Sequence, residues 1–183
     1  MKRLILPGWF GSGPDHWQRI WAAEDPQALV VEQKNWDEPD LESWLANLHA
    51  AVLAAPGSLL VAHSLGVILV LHYVARHPDA PVAGALLVAP GDADLHAVFK
   101  PEIAGFAPVP RTKLPFPSII VASHDDPHME LARTLELARD IGAEVVDVGN
   151  AGHVNVESGF GRWPLGRELA ARLEAAVQSS KGE

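Results

Sequence analysis

Ser58–His77 reads SLLVAHSLGVILVLHYVARH. A continuous apolar run, Ser58–Ala62, stops at His63 and Ser64, and apolar residues resume from Leu65 at helical spacing. A short unbroken apolar run is the mark of a strand covered on both faces, and the longer periodic segment is a helix. Strand and helix therefore meet with only one or two residues between them. A turn that sharp crowds the backbone, and small residues two before and two after its tip relieve the crowding. Here those are Ala62 and Gly66, so AHSLG follows the G-x-S-x-G nucleophile-elbow pattern with Ala in first place. Ser64 would project at the C-terminal edge of a sheet, above a helix N-terminus. The N–H of Leu65 and the helix dipole would then favour a developing oxyanion. Ser is also a favoured helix N-cap, a plainer role that the pattern alone allows. His63 is not expected to be the base, because neighbours on a turn point apart.

Further runs of the same kind occur at Arg3–Leu6, Ala28–Glu32, Gly84–Ala89, Ser118–Ala122 and Glu144–Val148. Segments with helical spacing lie between them: Asp15–Ala23, Leu41–Ala54, Leu65–Ala75, Met129–Ile141 and Leu165–Val177. The alternation predicts an α/β fold, a mostly parallel six-stranded sheet with helices on both faces and right-handed crossovers. A chain of 183 residues predicts one domain, residues 1–178, with a frayed tail at 179–183. The interval Gly91–Pro117 carries five prolines and breaks the rhythm. It reads as a short helix in a meandering crossover or as a lid over the site.

Bulk composition excludes several classes. The net charge is −9 and the basic residues are scattered, which argues against nucleic acid and anionic membrane partners. The absence of Cys removes a disulfide framework, a thiol nucleophile and Cys-ligated metal. No segment approaches the roughly 20 apolar residues of a membrane span. A soluble, cytoplasmic protein is expected, with no protein partner assigned.

A serine nucleophile needs a base, and the base needs an orienting carboxylate. In this architecture the order along the chain is Ser, then acid, then His. PSIIVAS is followed by HDDPH, and AEVVDVG by NAGHVN, both at predicted strand C-terminal ends. His153 is the candidate base. Asp125 and Asp126 compete as the acid; Asp126 precedes Pro127, which holds it extended. The other Asp would cap a turn. A metal site at His124, Asp125, Asp126 and His128 is not favoured, since the spacing puts them on no common face. No cofactor is expected. The loop LPGWFGSGPDHW supplies the second oxyanion donor, the N–H of Trp9 ahead of Phe10. It lacks the spacing of a phosphate-binding loop. Phe10, Phe99, Phe106 and Trp163 are candidates for the substrate pocket, whereas Trp17, Trp21, Trp36 and Trp44 read as core.

The stretches LPGWFGSGPDHWQRIW, VAHSLG, LPFPSIIVASHDDPH and GNAGHVN resemble the small serine hydrolases related to YdeN and to retinoblastoma-binding protein nine. The similarity runs from about Arg3 to Ala176. It implies a compact α/β-hydrolase fold without the large lid of lipases. Carried over residue by residue, it implies Ser64 as nucleophile, Asp126 as acid and His153 as base, and its Asp-Pro pair favours Asp126 over Asp125. The expected function is cleavage of small carboxylic esters, thioesters or amides through an acyl-enzyme, with a small acyl compound as partner. The alternatives are a hydrolase-fold scaffold with vestigial activity and an acyltransferase using the same acyl-enzyme.

Overall fold

The computed structural model describes residues 1–179. Six strands, β1 (Arg3–Leu6), β2 (Ala28–Val30), β3 (Ser58–Ser64), β4 (Val82–Pro90), β5 (Ser118–Ala122) and β6 (Glu144–Asp147), form one sheet in the order β2-β1-β3-β4-β5-β6. Every neighbouring pair is parallel. The helices are α1 (Trp17–Glu24), α2 (Leu41–Ala54), α3 (Leu65–Arg76), α4 (Ala93–His96), α5 (Leu131–Ile141) and α6 (Pro164–Ser179). Short 3₁₀ helices occur at Trp9–Gly11 and Pro101–Phe106. The expected tail falls partly inside α6, which runs to Ser179; residues 180–183 lie outside the described residues.

Continuous apolar strands follow from burial on both faces. Alternate residues point to opposite sides, so Leu4, Leu6, Leu60, Ala62, Ala85 and Leu87 pack against α2, α3 and α5. Ile5, Leu59, Val61, Leu86 and Val88 pack against α1 and α6. On the second face Trp17 is fully buried between Trp21 and Trp163, with ring centroids 4.9 and 5.0 Å away. Truncating such a side chain costs about 3–5 kcal/mol.

Two strands end two residues away from where the sequence suggested. β2 stops at Val30 rather than Glu32, because its partner β1 is only four residues long. β3 runs through His63 and Ser64, which pair with Val88 and Pro90 of β4. Strand passes into helix at Leu65 with no loop residue between.

The strand order reverses direction between β1 and β3, which are followed by connections on opposite sides. Such a switch point opens a crevice at the C-terminal edge of a parallel sheet. The loop after β1 and the β3–α3 turn line that crevice, joined by the loops after β4, β5 and β6. Gly91–Pro117 forms α4, the Pro101–Phe106 turn and an extended return to β5. Ala93, His96, Lys100 and Ile103 from this segment form one wall of the crevice.

Candidate active site

Ser64 sits at the tip of the β3–α3 turn with φ 56° and ψ −122°. A positive φ is strained for a residue with a side chain and persists only where the surroundings impose it. Close packing imposes it here. A Cβ on Gly66 would lie 2.3 Å from the carbonyl oxygen of Leu6, and one on Gly8 would lie 2.8 Å from Ser64 Cβ. Only glycine at both places lets the β1 loop and the elbow touch. Ser64 occupies the N-cap position of α3, yet its side chain makes no capping hydrogen bond. The plainer role as a cap is therefore not the one seen.

Ser64 lines a cavity of about 570 Å³ that His153 also lines. Both carboxylate oxygens of Asp126 lie 2.9 Å from His153 Nδ1. This pair is almost wholly buried, with side-chain exposures of 4% and 8%. The carboxylate fixes the tautomer: Nδ1 carries the proton toward Asp126, and Nε2 is left free to accept one. Asp126 Oδ1 also accepts the N–H of His128 at 2.8 Å, which holds the carboxylate in place. Asp125 faces a different way. Its Oδ1 accepts the N–H of Gly152 at 2.8 Å and the hydroxyl of Ser123 at 3.0 Å. The Gly152 N–H, then the Ser123 hydroxyl, hold its carboxyl below the usual range.

The loop bearing His153 is tied down on several sides. Ala151 N–H donates to Ser123 Oγ at 3.0 Å, and His153 N–H donates to Ser158 Oγ at 3.1 Å. Trp17 Nε1–H donates to the carbonyl of Val154 at 2.9 Å. A core tryptophan thus also anchors the loop of the candidate base. His63 adds a further tie, since its Nε2 donates to the carbonyl of His153 at 2.8 Å. Burial pushes His63 well below the ordinary value of 6.5, and the neighbouring His153 adds to the shift.

Trp9 and Leu65, whose N–H groups are the candidate oxyanion donors, line the same cavity as Ser64. Neither Leu65 N–H nor Trp9 N–H has a hydrogen-bond partner among the described residues. Phe10 N–H, the other candidate, donates to the carbonyl of Trp36 at 3.1 Å. The Trp9 ring lines the cavity and its Nε1–H donates to the Asp37 carbonyl at 2.9 Å.

Of the expected pocket aromatics, the cavity wall takes Phe10, which is 65% exposed. The others are corrections. Phe106 is fully buried against Trp44, and its carbonyl accepts from His72 Nε2 at 2.9 Å. Trp163 packs into the tryptophan cluster under α1. Phe99 is 72% exposed and does not line the cavity. Sequence reasoning missed His16, His96 and His128 on the wall. The only signal for His16 was its place at the end of the glycine-rich loop. His124 pairs with Asp147 at 2.7 Å, away from Asp125 and Asp126. Among the described residues no group of three or more His, Cys, Asp or Glu is placed to hold a metal ion, and no helix is long and apolar enough to cross a membrane.

Known proteins share this architecture. The chain is 25% identical to the hydrolase YdeN of Bacillus subtilis (strain 168) over 171 residues, 88% of this chain and 90% of that protein. Its fold matches a YdeN-like hydrolase from Pectobacterium atrosepticum with a TM-score of 0.85 and 29% identity, covering 96% of this chain and 91% of that one. It also matches Est1E from Butyrivibrio proteoclasticus with a TM-score of 0.69 at 12% identity, covering 95% and 88%. The architecture is that of the α/β-hydrolases. The model of the serine hydrolase family matches residues 3–172, and this chain belongs to that family as a hydrolase.

Proposed function

We propose that the chain cleaves small carboxylic esters through an acyl-enzyme on Ser64, with His153 as base and Asp126 as its orienting acid. The observation that carries this reading is the buried Asp126–His153 pair at 2.9 Å, set on the same cavity as a serine held at positive φ. A binding protein on the same fold has no need of that pair.

The steps follow from proton placement. His153 Nε2 takes the proton of Ser64 Oγ as the oxygen attacks the ester carbonyl carbon. The carbonyl oxygen gains negative charge, which the N–H groups of Leu65 and Trp9 stabilise. The imidazolium formed on His153 is held by Asp126, which stays ionised. His153 Nε2–H then protonates the leaving alkoxide as the C–O bond breaks, and the acyl group remains on Ser64. Water repeats the sequence: His153 takes its proton, the acyl carbon is attacked, and Ser64 Oγ leaves as its proton returns. Thioesters and amides differ only in the leaving atom. A cavity of about 570 Å³ supports a small acyl substrate.

The test is turnover of a p-nitrophenyl ester series by the pure protein and by Ser64→Ala. Saturable turnover is expected, and the variant should fall on the order of 10⁶-fold in kcat if the three residues act as a unit. Equal rates in the two proteins would refute the reading.

A further inference from the structure

Two buried imidazoles beside His153 have their protons placed by partners that can only give or only take. His16 Nδ1 accepts the N–H of Gln18 at 3.2 Å, so its proton sits on Nε2. That Nε2 is buried and without a hydrogen-bond partner, and His16 as a whole is 4% exposed. His63 Nε2 lies 2.8 Å from the carbonyl oxygen of His153, which only accepts. The His63 proton therefore sits on Nε2, and its Nδ1 is a bare acceptor. The two rings meet at 61° with centroids 4.8 Å apart. Imidazoles joined by a linear N–H···N bond of about 2.9 Å have centroids roughly 5 Å apart. No hydrogen bond joins the two rings as they stand, so one buried donor lies unmatched beside a ring whose Nδ1 can accept. Burial, with smaller contributions from His153 and Arg19, pushes His16 down to about 4, so it is neutral over the working range. Burial holds His63 neutral likewise.

We propose that His16 Nε2–H donates to His63 Nδ1, and that His16 is thereby a positioning residue for His153. The relay starts at Gln18 N–H in the first turn of α1, passes through both rings and ends on the backbone of His153. A small rotation of the His16 ring closes it. A buried donor left unpaired is costly. The positioning role rests on the reading of His153 as the base; the hydrogen bond does not.

The experiment is nitrogen NMR of the uniformly ¹⁵N-labelled full chain, with kinetics on two variants. Scalar coupling across the bond, between His16 Nε2 and His63 Nδ1, is expected in the wild type. In His16→Phe the His63 Nδ1 signal should move to that of a free pyridine-type nitrogen. kcat should fall roughly 3- to 10-fold, the worth of one neutral hydrogen bond, with KM unchanged. His16→Gln keeps a donor and should restore most of kcat. No coupling, together with an unmoved His63 Nδ1 signal in either variant, overturns the relay. Coupling with unchanged kcat in His16→Phe overturns the positioning role. Should His16→Phe fail to fold, the wild-type spectrum and His16→Gln decide. Coupling in a protein that hydrolyses no ester would leave the relay standing and remove the hydrolytic role of His153.

Discussion

His63 Nε2 donates to the backbone carbonyl of His153 at 2.8 Å, and the two rings lie 4.7 Å apart. The residue next to Ser64 in sequence is thus a support for the loop that carries the candidate base. It belongs to β3, so the rigid sheet edge sets the position of a loop after β6. Replacing His63 with Ala should lower kcat by up to about 10²-fold, the cost of a misplacement near 1 Å. KM should change little. Steady-state kinetics on a p-nitrophenyl ester give both values, and a purely KM effect would contradict the assignment.

Asp126 and Asp125 are adjacent and do different things. Asp126→Asn should cost up to about 10⁴-fold in kcat/KM, because an amide no longer fixes the His153 tautomer. Asp125→Asn leaves that pair intact and loosens only the contact with Gly152 N–H and Ser123. Its kcat/KM should fall less than 10-fold. The comparison of the two variants is the measurement; a larger loss in Asp125→Asn would reverse the roles.

The elbow depends on a close backbone approach. Gly66→Ala places a Cβ 2.3 Å from the Leu6 carbonyl oxygen, an atom of the sheet that cannot swing aside. Overpacking of this kind costs about 1–3 kcal/mol. Urea unfolding should show a lower midpoint, and kcat should drop as Ser64 is displaced. A variant as stable and active as the wild type would show that β1 and α3 separate freely.

Stability should fall with pH in a window set by buried histidines. His16 is pushed down to about 4 from 6.5, and His63 and His72 move in the same direction, each chiefly by burial. The unfolded chain therefore binds protons first as pH falls. Their contribution is fully present above about 6.5 and is lost as pH falls from 6.5 toward 4. Urea midpoints at pH 7 and pH 5 should differ accordingly, and His16→Gln should flatten the slope. A midpoint independent of pH across this window would mean that these rings are solvated.

Much of this was legible in the sequence because it depends on local pattern. Doubly covered strands announce themselves as unbroken apolar runs, and an elbow leaves its mark in Ala62 and Gly66. The order of Ser64, HDDPH and NAGHVN follows from which strands precede them. What the pattern could not give was the partition of aromatic side chains between cavity and core. Phe106 and Trp163 look like pocket residues until Trp44, Trp17 and Trp21 are seen to enclose them. Phe99 sits in a segment that borders the cavity, but its side chain faces solvent. His16 was equally hidden, since its meaning lies in a ring contact with His63 across the β1–β3 crevice.

A base-activated Ser64 would be open to covalent labelling. A fluorophosphonate at pH 8 tests it directly, read by intact mass and peptide mapping. One adduct per chain is expected, on the peptide containing Ser64, absent in Ser64→Ala and strongly slowed in His153→Ala. Wild-type protein that unfolds cooperatively yet takes no label would contradict it.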